Sequence, residues 1–150
     1  MKIFATLGAL MLVAMSAIAA GPASADERTC RGTMGAITVD NLRVPQNATC
    51  VLEGTKVKGT IKVEANATLR ASNINVIGNI QAENHKHVAV RGTSVIGGSI
   101  QIKQGGSATI DGVQVTGDIQ LESNASALSA TGNRVGGNVQ VFQNRGGATI

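Results

Sequence analysis

The chain's 150 residues carry thirteen basic and nine acidic side chains, a formal net charge of +4, no Trp or Tyr, and Phe only at positions 4 and 142. A core made of Ile, Val, Leu and Ala argues against an ordinary α/β or sandwich domain, where aromatic rings supply much of the buried area. Acids and bases are interspersed without a basic stripe, so nucleic acid is not an expected partner and the charge reads as a solvated surface.

Residues 1–25 have the layout of a secretory signal peptide: Lys2, an apolar run from Ile3 to Ala20, Gly21-Pro22, then the small triplet Ala23-Ser24-Ala25 before Asp26. An uncleaved anchor competes, because the run approaches the ~18 residues that a spanning helix needs. The helix-breaking Gly-Pro and the Ala-x-Ala site favour removal, and no cysteine stands at the cleavage point to make a lipoprotein. The expectation is an exported chain, extracellular or periplasmic, without stable membrane insertion once cleaved. Residues 26–150 then form one domain, and losing Lys2 lowers the net charge by one from +4.

Cys30 and Cys50 are the only cysteines. In an exported chain a lone pair reads as one disulfide, and closing such a loop contributes about 3 kcal/mol in the chain-entropy model. Two buried free thiols are the competing reading. The pair offers too few ligands for a metal.

Beyond the cysteines a seven-residue unit recurs, apolar-x-Gly-x-apolar-x-apolar, as Val57-Lys58-Gly59-Thr60-Ile61-Lys62-Val63 and again from Val76, Ile96, Val115 and Val135. Gly35-Ala36-Ile37-Thr38-Val39 reads as an earlier copy. The glycines at 35, 59, 78, 98, 117 and 137 are nineteen or twenty residues apart after a first interval of twenty-four. A second register, Asn47-Ala48-Thr49-Cys50 against Asn66-Ala67-Thr68-Leu69, places Cys50 at an inward position like Leu69. Period-two alternation within each unit marks a strand with one buried face, and Gly, Asn and Ser interrupt the chain too often for helices.

A single such coil cannot bury its apolar face, but stacked copies share one core. The predicted fold is therefore all-β: a single-stranded, right-handed parallel β-helix of about six coils of 19–20 residues. At ~4.8 Å per coil it makes a rod about 29 Å long. The recurrent glycines, Gly35, Gly59, Gly78, Gly98, Gly117 and Gly137, are expected at corners that need φ > 0 or close backbone approach.

Through these Val-x-Gly-x-Ile-x-Val units the chain resembles secreted right-handed parallel β-helix proteins of the pectate-lyase-like kind, and more distantly the polymer-forming bactofilins. The resemblance covers residues 26–150 at the level of fold and carries no catalytic motif, so it implies no activity.

On the best-defined strand the outward residues are expected to run Ala36/Thr38/Asp40, Thr60/Lys62/Glu64, Asn79/Gln81/Glu83, Ser99/Gln101/Lys103, Asp118/Gln120/Glu122 and Asn138/Gln140/Phe142. The column Gln81, Gln101, Gln120 and Gln140 is a candidate polysaccharide-binding face; amides satisfying one another along the ladder are the structural reading and the preferred one. Asp40, Glu64, Glu83 and Glu122 share a column interrupted by Lys103. Glu64 and Glu83 could work as an acid/base pair or recruit Ca²⁺, yet the turns are too short to build a cleft, and no catalytic residue is assigned.

His85 and His87 suggest a two-histidine metal site but lack further ligands, so solvated turn histidines are expected and no metal is assigned. No phosphate loop or dinucleotide fingerprint is present, and no cofactor is expected. Asn47-Ala-Thr, Asn66-Ala-Thr and Asn124-Ala-Ser match the glycosylation sequon, but turn geometry accounts for their asparagines. The sequence stops at Ile150 part-way through a coil. That predicts either stacking of this chain on itself through the C-terminal rung, or a piece of a longer protein. The leading expectation is a non-catalytic exported structural or surface-interaction protein, with a glycan-binding module second and a small polysaccharide lyase or hydrolase third.

Overall fold

The computed structural model describes residues 25–150, so the predicted signal peptide lies almost wholly outside the described residues. Every described strand belongs to one of three parallel sheets running the length of a β-solenoid. Sheet A stacks Glu27–Thr29, Asn41–Val44, Ile61–Val63, Ile80–Glu83, Ile100–Lys103, Ile119–Glu122 and Val139–Phe142. Sheet B stacks Thr33–Met34, Thr49–Glu53, Thr68–Ser72, His87–Arg91, Ser107–Asp111, Leu128–Thr131 and Ala148–Thr149. Sheet C is built from two-residue strands, Thr38–Val39, Lys56–Val57, Asn75–Val76, Val95–Ile96, Gln114–Val115 and Arg134–Val135.

Alternation decides which residues fill the interior. In sheet A, Leu42, Ile61, Ile80, Ile100 and Ile119 stack in one inward column and Val44, Val63, Ala82, Ile102 and Leu121 in the next, none more than 3% exposed. Each fully buried aliphatic contributes about 1.5–3 kcal/mol of transfer free energy. In sheet B two residues of each strand face inward, as Val88 with Val90 and Ala108 with Ile110. Cys50 pairs with Leu69 as the second register requires, and is bonded to Cys30 with Cα atoms 5.5 Å apart.

The corners follow from local chemistry. After sheet A the chain turns through a left-handed residue at Asn47, Asn66, Asn84, Gln104, Ser123 and Gln143. After sheet B it does so at Gly54, Asn73, Gly92, Gly112 and Gly132. The third sequon therefore differs from the other two: Ser123 takes the left-handed turn, while Asn124 is buried and donates through Nδ2 to the Ile102 carbonyl. At the entry to sheet A a second ladder ties the coils together. The side-chain oxygens of Asn41, Thr60, Asn79, Ser99 and Asp118 each accept the backbone N–H of the equivalent residue one coil on, at 2.7–3.5 Å.

The repeat glycines sit just before that ladder, where neighbouring backbones touch. Gly78 donates to the Gly59 carbonyl, Gly98 to Gly78, Gly117 to Gly98 and Gly137 to Gly117, at 2.9–3.0 Å. None is among the positive-φ residues, so close approach, not left-handed backbone, excludes a side chain here. Gly35 is a correction to the predicted column. Thr38 pairs with Lys56 and Val39 with Val57, which puts Thr38–Val39 in sheet C, and the Asp40 carbonyl accepts the Gly59 N–H at 2.7 Å. The sheet A strand that follows this corner is Asn41–Val44, where Leu42-Arg43-Val44 supplies the alternation, and the corner is one residue shorter than the later ones.

A Cβ on Gly78 would stand 2.5 Å from the Gly59 carbonyl oxygen, whereas one on Gly35 meets nothing within 4 Å. Urea unfolding is expected to show Gly78→Ala losing about 1–3 kcal/mol and Gly35→Ala staying within about 0.5 kcal/mol of the native chain.

Candidate functional site

The outer face of sheet A brings together most of the candidate residues. Gln81 pairs with Gln101, Gln101 with Gln120 and Gln120 with Gln140 in strict register. The amides run in one direction: Gln81 Nε2 donates to Gln101 Oε1 at 3.3 Å, and Gln101 Nε2 to Gln120 Oε1 at 3.2 Å. Below Gln81 the column continues with Lys62 and Arg43 instead of Thr38.

Beside the amides runs the charged column, Glu83, Lys103, Glu122 and Phe142 in register. Glu64 follows Val63, the partner of Ala82, and so stands one coil below Glu83. Asp40 does not belong to this column. It lies at the preceding corner and pairs with Lys58 at 3.2 Å. Glu64 is committed on both oxygens, to Arg43 Nη1 at 3.3 Å and to the Gln46 N–H at 3.0 Å, and Lys103 reaches Glu122 at 3.5 Å. Among the described residues Lys62 and Glu83 make no ion pair.

The two columns border an open groove of about 530 Å³, whose lining includes Lys62, Glu64, Gln81, Glu83, Gln101 and Lys103. It has donors, acceptors and both charges, but no aromatic platform. The nearest ring on this face, Phe142, is 43% exposed at the far end of the charged column. Chemically the groove can hydrogen-bond a polyhydroxylated or zwitterionic ligand lying across the coils. No group of three or more His, Cys, Asp or Glu side chains converges to hold a metal among the described residues.

The histidines correct the expectation of solvated turn residues. His85 is 2% exposed, and neither ring nitrogen has a hydrogen-bond partner. It follows the left-handed Asn84 and so occupies the inner corner position filled by Ala48 and Ala67 in earlier coils. One coil on, the equivalent residue is Gly105, whose missing side chain leaves room for the imidazole: a Cβ there would overlap the ring. Burial pushes the His85 pKa down to about 4; the Ser107 backbone acts the other way without closing a hydrogen bond, and the charge of His87 adds to the lowering.

His87 faces outward, half-buried, with Nδ1 2.7 Å from Ser107 Oγ. Its pKa is lowered, first by burial and then by the charges of Arg70 and Arg91. Sequence reasoning missed Ser107, although it holds the same repeat phase as His87 and Thr68. No protein-family model, curated protein or solved structure matches the chain.

The histidine burial sets a pH dependence. His85 binds its proton at 6.5 when unfolded and at about 4 when folded. Stability is therefore complete above the unfolded value and falls as pH drops from 6.5 towards 4, by up to about 3 kcal/mol. Denaturant titrations at pH 7.5 and pH 4 should show that loss, and His85→Leu should remove most of it.

Proposed function

We propose that the chain is an exported, non-catalytic structural or surface-interaction protein that works as a rigid β-solenoid and associates with further copies of itself. The supporting observation is the contrast between successive rungs of sheet A. Val139 and Val141 occupy the inward columns, yet they are 40% and 37% exposed where the same positions below are closed. Strand Val139–Phe142 is paired on one side only, along Ile119–Glu122, and Phe142 and Ile150 add exposed apolar surface at the same level. What fits such a surface is another β-coil.

The opposite end has different chemistry. There the residue stacked on the inward Leu42 is Arg28, flanked by Glu27 and Thr29, and all three are exposed. Stacking that end on the valines would bury a guanidinium against an apolar surface, which is costly. Two C-terminal rungs meeting about a two-fold axis instead place Val139 against Val141 and Gln140 against its own copy, an isologous contact that closes at a dimer.

Light scattering across a concentration series of residues 26–150 tests this reading. A dimer that dissociates on dilution, and a monomer at every concentration for Val141→Glu, are expected. A native chain that remains monomeric at high concentration removes self-association, and turnover of any polysaccharide removes the non-catalytic role.

The groove supports a second reading, a glycan-binding module, because Gln81, Gln101 and Gln120 are held in fixed orientation beside Lys62 and Glu83, which make no ion pair among the described residues. Replacing the three glutamines together by Ala should abolish retention on the polysaccharide bound by the native chain. Unchanged retention assigns the amide ladder to stability alone.

A further inference from the structure

We propose that sheet B carries an oxyanion-binding notch, formed by Arg70, Arg91, His87 and Ser107 over Ala89, that takes a sulfate or phosphate group. Register builds it. Ala89 lies opposite Arg70 in the coil below and Thr109 in the coil above, with His87 and Arg91 two residues to either side on its own strand. Val88 and Val90 point inward, so Ala89 points out among longer neighbours and is itself only 7% exposed. The small methyl makes a floor, and the rim carries the donors.

Those donors are uncommitted or poised. Neither Arg70 nor Arg91 forms an ion pair among the described residues, and both are exposed. The charges of both guanidiniums oppose the protonation of His87. When Ser107 donates to His87 Nδ1, the imidazole carries its proton on Nε2 and offers a further donor on the same face. Two cations left unpaired on adjacent coils repel each other, and a bound anion relieves that repulsion. A tetrahedral oxyanion suits the set better than a carboxylate, since it offers acceptors to two planar forks and an imidazole at once.

The other charged groups around His87 are few. Asp111 is in register with Arg91 on the coil above, but its Oδ1 accepts the Thr131 hydroxyl at 3.2 Å and it makes no ion pair. Glu53 is two coils below Arg91 in the same column. On the preceding turn Lys86 is exposed and His85 is buried. None of these fills the notch with negative charge.

His87 is the reporter. An NMR pH titration of its ring proton, at one ionic strength made up with sodium chloride, sulfate or phosphate, reads the site directly, because a bound anion favours the imidazolium. Sulfate and phosphate are each expected to raise the His87 pKa by about half a unit or more over chloride. In the Arg70→Gln/Arg91→Gln double variant the pKa should already be higher in chloride and move no further, while an unchanged His85 resonance reports an intact fold. Equal His87 pKa values in all three salts, or a double variant that responds as the native chain does, overturn the proposal. A response to sulfate alone points to sulfate esters as the natural source, and one to phosphate alone to phosphate esters.

Discussion

Everything in this molecule depends on each coil after the first returning to the same phase after nineteen or twenty residues, so that backbone N–H groups meet the carbonyls of a neighbouring strand about 4.8 Å away. That pairing is the regular backbone hydrogen bonding of the described residues, which form no helix. Nearly every strand has a parallel neighbour one period away. A coil that overran its corner by one residue would swing its whole apolar set to the outer face. The glycine column at Gly59, Gly78, Gly98, Gly117 and Gly137 and the oxygen ladder from Asn41 to Asn138 enforce the phase from two sides: one lets backbones approach, the other fixes what they bond.

The same constraint turns a one-dimensional repeat into columns of side chains, and columns behave differently inside and out. Inside, like stacks on like until a misfit must be absorbed, as where Gly105 gives up its side chain to the imidazole of His85. The imidazole remains without a partner, a buried polar cost that a neutral ring can bear and a protonated one cannot. Outside, stacking can concentrate one chemistry. The glutamines satisfy one another, the carboxylate column is broken by Lys103, and in sheet B Arg70 stacks under Ala89 while Arg91 stands two residues further along that strand.

The two ends differ for related reasons. At the N-terminal side the Cys30–Cys50 bond ties the first coil to the next, and Arg28 presents charge over the core. The apolar columns reach the last described rung without any such change, and Val139 and Val141 bear the exposure.

Much of this was legible in the residues alone. The period, the all-β solenoid, the inward columns from Ile61 to Leu121, the pairing of Cys50 with Leu69 and the glutamine ladder follow from spacing and alternation. Those are local quantities that stacking merely repeats. Gly35 and Asp40 were misplaced because Gly35-Ala36-Ile37-Thr38-Val39 mimics the repeat unit by itself, whereas the register puts Asp40 at the glycine position and Leu42-Arg43-Val44 in sheet A. The tertiary structure alone decided the burial of His85, the hydrogen bond between Ser107 and His87 and the placing of Arg70 one coil below Ala89. Each depends on what occupies the same phase one coil away, and no single coil contains that information.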